Sequence, residues 1–179
     1  MKHLSLEQID EKARAIKLLL LDVDGVLTDG KLYFSGDGYE MKAFHTLDGH
    51  GMKMLRNSGV EVGIITGRNS PIVARRASDL GLKLLKQGRE DKFVALQELL
   101  EEYPCELENI AFMGDDYPDL TVMCKVGLAL TVANAHHEVV ENAHWQSSVN
   151  GGEGAVREAC DLIMKAQGTY KAALDKYLS

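Results

Sequence analysis

Two aspartates one residue apart, Asp22 and Asp24 in KLLLLDVDGVLTDG, follow directly on a run of leucines. Such a pair can bind a metal, begin a turn or carry out covalent chemistry, and the rest of the chain narrows the choice. Thr66, Gly67 and Arg68 follow VEVGII; Gly114, Asp115, Asp116 and Asp119 follow NIAFM; Lys92 lies between them in GREDKF. These residue types suit phosphoryl transfer. The carboxylates of Asp22, Asp24 and Asp115 are hard oxygen ligands of the kind that hold Mg2+, and a cation there would offset their repulsion of a phosphate. Asp22 can attack phosphorus as a nucleophile and form an aspartyl phosphate. Asp24 can protonate the leaving oxygen and then deprotonate the attacking water. The Thr66 hydroxyl, the Gly67 amide and the Lys92 ammonium can act as fixed donors to the phosphoryl oxygens.

The elements that must position these groups are legible as alternating patterns. Apolar runs bounded by turn residues span 16–21, 60–65, 82–85, 109–113 and 127–132, with helical periodicity over 48–57, 70–80, 90–102 and 116–124 between them. This alternation predicts an α/β, Rossmann-like fold, a central parallel sheet flanked by helices. In such sheets ligands bind beyond the carboxyl ends of the strands, which is where the polar residues fall. Residues 31–44, KLYFSGDGYEMKAF, read as an inserted β-hairpin around Gly-Asp-Gly. Ser5 and Gln8 have the spacing of a capping box, predicting a short helix over 6–14. After the flexible VNGGEG comes a helical AVREACDLIMKAQ, and 168–179 read as a flexible polar tail. No repeat or linker divides the 179 residues, so one domain over 1–179 is expected.

With 45% hydrophobic residues and a formal charge of -7, the chain can bury a core and has no basic stripe suited to nucleic acid. Its three cysteines, Cys105, Cys124 and Cys160, lack zinc or disulfide spacing and are expected as core thiols. The charged N-terminal segment is unlike a signal peptide and no apolar run is long enough to span a bilayer, so a soluble, cytoplasmic protein without membrane association is expected.

Four segments carry a family resemblance. DVDGVLTDG, ITGR, Lys92 and GDDYPDL resemble, in order and spacing, the four motifs of the haloacid dehalogenase superfamily. DVDGVLTDG, the hairpin, FHTLDGHGMKML, IITGRNSPIVARRASDLG and NGGEGAVRE are similar to its capless branch of 3-deoxy-D-manno-octulosonate 8-phosphate phosphatases. Only 43 residues separate Asp22 from Thr66, and 25 separate Thr66 from Lys92, which leaves no room for a large cap. The resemblance implies a Mg2+-dependent phosphatase of a small sugar acid phosphate serving lipopolysaccharide synthesis, and a homotetramer built by the hairpins, in which a neighbour helps close each site. It implies that Arg76 pairs with a substrate carboxylate and that Arg68 favours the eight-carbon substrate over a nonulosonate 9-phosphate. Thr28 and Thr46 are lesser contacts on this reading, and Arg157 belongs to a segment folding over a neighbour's site.

Blander roles stand beside these. Thr66-Gly67 can simply end a strand, Lys92 can be a solvated helix residue, and Arg76 can sit on an exposed helix face. Asp116 and Asp119 can cap the helix that follows, Asp119 standing either on the metal or behind it. A non-catalytic domain that accepts a phosphoryl group on Asp22 is a further alternative. Asp24 argues against it, because an acid two residues on promotes turnover. The six histidines show no zinc-like pattern and are expected at the surface or in packing, with His45 and His50 closest to the hairpin.

Overall fold

The computed structural model describes residues 4–178; residues 1–3 and 179 lie outside it. Helix α1, Leu6–Arg14, opens with the expected capping box, Ser5 and Gln8 each accepting from the other's backbone amide. Strand β1, Leu18–Leu21, has all four leucines buried. Successive side chains of a strand point to opposite faces, and here Leu19 and Leu21 enter one core cluster while Leu18 and Leu20 enter the other. Both faces are covered, which is why the strand is an unbroken apolar run.

The inserted hairpin follows as β2, Tyr33–Phe34, and β3, Glu40–Met41, an antiparallel pair forming its own two-stranded sheet. Leu32, Tyr33, Phe34, Tyr39 and Met41 remain exposed on it. After helix α2, Thr46–Asn57, the main sheet resumes with β4, Glu61–Ile65, then α3, Pro71–Leu80, β5, Leu84–Lys86, and α4, Lys92–Glu102. Next come β6, Ile110–Gly114, α5, Tyr117–Met123, β7, Leu128–Thr131, α6, His137–Asn142, and β8, Trp145–Gln146. Helices α7, Ala155–Ala166, and α8, Tyr170–Asp175, complete the order. The six strands are parallel, in the order β5-β4-β1-β6-β7-β8. From β1 the chain runs outward through β4 and β5, then returns to the other side of β1 for β6. The direction of winding therefore reverses between β1 and β6, the place where an open α/β sheet leaves a crevice at its carboxyl ends. Helices α1, α2, α3 and α7 cover one face, and α4, α5 and α6 the other. No cap domain is present among the described residues, and no helix there is long and apolar enough to cross a membrane.

Three features differ from the sequence reading. Strand β8 is two residues long, too short to show a period, and pairs with β7 at the sheet edge. Residues 168–179, expected as a flexible tail, carry α8, whose Tyr170 and Ala173 pack on the core; the tail is anchored by apolar contact that its polar composition hides. Of the cysteines, Cys160 is buried as expected, but Cys105 is only partly buried and Cys124 is exposed near the end of α5.

Candidate active site

The first residue beyond β1 is Asp22, whose amide donates to the Met113 carbonyl of β6 at 3.0 Å, so the chain leaves the sheet at the crevice. The chain then turns back on itself: the amides of Val26, Leu27 and Thr28 all donate to the Val23 carbonyl. Thr28 is buried inside this turn, its hydroxyl donating to Val23 and accepting from the amides of Gly25 and Gly30. It braces the loop that carries Asp24. Gly25, at φ +98°, faces Asp115 so closely that an added Cβ would fall 1.9 Å from Asp115 Oδ2. The loop after β1 and the end of β6 thus fit together only because Gly25 has no side chain.

Between them lies an ion-paired centre. Lys92 Nζ stands 2.8 Å from Asp22 Oδ1 and 2.5 Å from Asp119 Oδ1, and all three residues are buried. Asp91 caps α4 by accepting from the amides of Phe93 and Val94, which fixes Lys92 as the first residue of that helix. Asp119 also accepts from the amides of Asp115 and Asp116 through Oδ2, and Asp116 caps α5. Both oxygens of Asp119 are therefore occupied. Its geometry is that of a bracket holding Lys92 and the turn after β6.

Asp22, Asp115 and Asp119 each offer a carboxylate oxygen within 4.8 Å of the others. Crowding three acids in a half-dry crevice has an electrostatic cost. Burial first, and then the Asp119 charge, push Asp22 up to about 7 against the opposing pull of Lys92. Burial, then Asp22 and Asp119, push Asp115 up to about 8. Burial opposes the charge on Lys92, but Asp22 and Asp119 outweigh it, and its pKa ends above the usual lysine value. The site is short of positive charge, and hard oxygen ligands that repel one another in this way fit a divalent cation.

Asp24 does not join that group. Its carboxylate turns to the hairpin, where Oδ1 meets the ammonium of Lys42 and Oδ2 lies 3.7 Å from Arg68 Nε. Arg68 reaches Glu40 at 3.0 Å, and Glu40 accepts from the Ser70 hydroxyl at 2.7 Å and lies 3.5 Å from Lys42. Sequence reasoning missed Glu40 and Lys42. Their spacing in GYEMKAF puts them on one face of an extended segment, a signal available beforehand.

The cleft over this centre has a volume of about 670 Å3. Asp22, Asp24, Thr66, Gly67, Arg68, Lys92 and Asp115 line it together, as does Leu32 of the hairpin segment. Its walls hold six carboxylates and two cations. Four sequence candidates lie elsewhere in the chain. Thr28 is buried in its loop. Thr46 and Arg76 line a separate hollow with His50 and Lys53, the Arg76 guanidinium lying 5.7 Å from the centre of the Phe44 ring. Arg157 pairs with Asp161 on α7 at 2.8 Å, and its amide donates to Asp48. Two histidines serve the fold: His45 caps α2, and His144 accepts from the Ala129 amide with its pKa pushed down to about 4 by burial.

Comparison with known proteins identifies the family. Residues 85–159 match the model of the haloacid dehalogenase-like hydrolases. The 3-deoxy-D-manno-octulosonate 8-phosphate phosphatase KdsC of Yersinia pestis is 44% identical over 167 residues, 93% of this chain and 89% of that protein. A probable YrbI family phosphatase from Pseudomonas syringae superposes with a TM-score of 0.95 at 53% identity, covering 97% of this chain and 98% of that one. The Moraxella catarrhalis 3-deoxy-D-manno-octulosonate 8-phosphate phosphatase, solved with magnesium, phosphate and the sugar acid, superposes with a TM-score of 0.94 at 40% identity over 97% of this chain and 99% of its own. On likeness that runs through almost the whole length of both partners, this chain belongs to the 3-deoxy-D-manno-octulosonate 8-phosphate phosphatase family of haloacid dehalogenase-like hydrolases.

Proposed function

We propose that the chain hydrolyses 3-deoxy-D-manno-octulosonate 8-phosphate to the free sugar acid, a lipopolysaccharide building block, and phosphate, through an aspartyl phosphate on Asp22. The observation that carries the reading is the convergence of Asp22, Asp115, Asp119 and Lys92 at the crevice between β1 and β6. Asp22 and Asp115 would hold Mg2+, which supplies charge neutralisation for an incoming phosphate when bound. A carboxylate oxygen of Asp22 forms a bond to phosphorus as the ester P–O bond breaks, and the departing sugar oxygen takes its proton from Asp24. Asp24 then removes a proton from water as that water attacks the phosphoaspartate, releasing phosphate and restoring Asp22. Thr66, Gly67 and Lys92 hold the phosphoryl oxygens, and Arg68 stands at the rim facing the rest of the substrate.

We extend the proposal to a homotetramer. A lone two-stranded ribbon with five exposed apolar side chains is poorly suited to standing free in water. In such an assembly Arg76, Thr46 and Arg157 would be offered by one subunit to another's cleft, which is how they remain substrate candidates. A stable monomer in sedimentation would remove this part.

The test of the reading is phosphate release from the eight-carbon ester and from a nonulosonate 9-phosphate. The expected result is a kcat/KM at least about tenfold higher for the former, the margin that differential binding of small substrate differences typically gives. A preference for the nine-carbon ester would overturn the substrate and leave the reaction standing.

Gly25 supplies a second check. Gly25→Ala forces a side chain onto Asp115 at a backbone angle that disfavours one. Displacing a metal-holding carboxylate should weaken Mg2+ activation by about 10 to 100-fold, as disturbing the supports of metal ligands does. Titrating activity against Mg2+ measures it, and an unchanged activation constant would remove Asp115 from the metal.

A further inference from the structure

We infer that Lys42, just beyond the hairpin strand β3, is a positioning residue that aims Asp24 at the leaving oxygen. The inference rests on the reading of Asp24 as the acid given above. Lys42 keeps only 1% of its side chain exposed and its ammonium is spent on Asp24 Oδ1, with Glu40 beside it at 3.5 Å. Burying a lysine gives up side-chain entropy and hydration, and such burial persists where the charge is held by partners in fixed positions. Those partners form a closed ring of alternating charge, from Lys42 to Asp24 to Arg68 to Glu40 and back. It ties three separate segments together: the loop after β1, the end of the hairpin and the loop after β4.

One consequence concerns which oxygen of Asp24 does the work. Oδ1 is taken by Lys42, whereas Oδ2, at 3.7 Å from Arg68, is beyond direct hydrogen-bond reach. Oδ2 is then the oxygen that gives its proton to the departing sugar oxygen as the ester bond breaks. The carboxylate left behind stays held by the Lys42 ammonium, ready to take a proton from the attacking water. The hairpin is thus part of the proton-transfer apparatus as well as an outer surface.

The test compares two leaving groups by kcat/KM, which reports steps only up to formation of the phosphoaspartate. The sugar departs from its phosphate as an alkoxide that needs a proton; p-nitrophenyl phosphate releases a phenolate that does not. Lys42→Met is expected to lower kcat/KM on the sugar phosphate by about 100-fold, the scale of a misplaced general acid, with a loss on p-nitrophenyl phosphate at least about tenfold smaller. Lys42→Arg should recover part of the difference, since a guanidinium also pairs with a carboxylate, and it keeps the test alive if the Met variant fails to fold. Equal losses on both substrates, or none in either variant, would overturn the inference. Asp24→Asn measured alongside separates the two levels. If it too strikes both substrates equally, the acid role of Asp24 fails first; if it spares the phenolate while the Lys42 variants do not, only Lys42's role fails.

Discussion

Asp22→Asn is expected to lower phosphate release by about 10⁴-fold or more while the protein stays folded, because it removes the proposed nucleophile and changes almost nothing in shape. The amide keeps an oxygen for Lys92 but no longer has an electron pair able to attack phosphorus as a carboxylate does. The stability effect should run the other way. Asp22 is one of three crowded acids, and its charge helps push Asp115 up to about 8. Neutralising it relieves that repulsion, so the metal-free variant should melt no lower than the parent at neutral pH. Loss of activity with stability retained or gained is the mark of a residue held in place for chemistry at a cost to the fold. Phosphate release under saturating Mg2+, with a thermal melt of the same sample, checks both halves. Activity within tenfold of the parent would remove Asp22 from the nucleophile's role.

The fold was readable because its signals are local and repeated. Five of the six strands of the main sheet are apolar runs, and each helix between β1 and β7 buries a periodic stripe, so pattern alone predicted the parallel sheet. Strand β8 and helices α6 and α8 escaped because a two-residue strand, and six-residue helices with at most one buried position, carry no period. The site divided along the same line. Residues directly after a strand, such as Asp22, Thr66 and Asp115, must emerge at its carboxyl end, and the structure brings them to one cleft. Residues whose placement depends on side-chain direction were less legible. Asp24 was grouped with Asp22 and Asp115 because all three follow neighbouring strand ends; in the fold its carboxylate pairs with Lys42, and Asp119 lies with Asp22 and Asp115 among the converging oxygens. Arg76 and Thr46 line a hollow apart from that cleft, with the Arg76 guanidinium over the Phe44 ring, a placement that a motif match does not record.

Removing the metal with a chelator is expected to abolish phosphate release and to lower stability far more at pH 8 than at pH 6. The direction follows from Asp22 and Asp115, whose pKa values in the folded protein rise from the usual 3.8 to about 7 and about 8. As pH climbs above about 4 an unfolded chain gives up these protons, while the folded, metal-free protein keeps them. Its stability therefore falls through the window from about pH 4 to 8, by up to about 1.4 kcal/mol per pH unit for each group, and levels off once both have ionised. Mg2+ held by Asp22 and Asp115 would reverse the balance, because it would bind their ionised oxygens in the folded state alone, with an affinity that rises as proton competition fades. Melting curves with Mg2+ and with chelator should lie close together at pH 6 and separate by pH 8, with the metal-free curve sloping downward between. A metal-free stability that is flat or rises across that window would mean the two acids are not strained as the geometry requires. Asp115→Asn distinguishes this centre from every other titrating group in the protein: it removes one of the two carboxylates and relieves the other, so it should flatten the metal-free slope and blunt the magnesium response together.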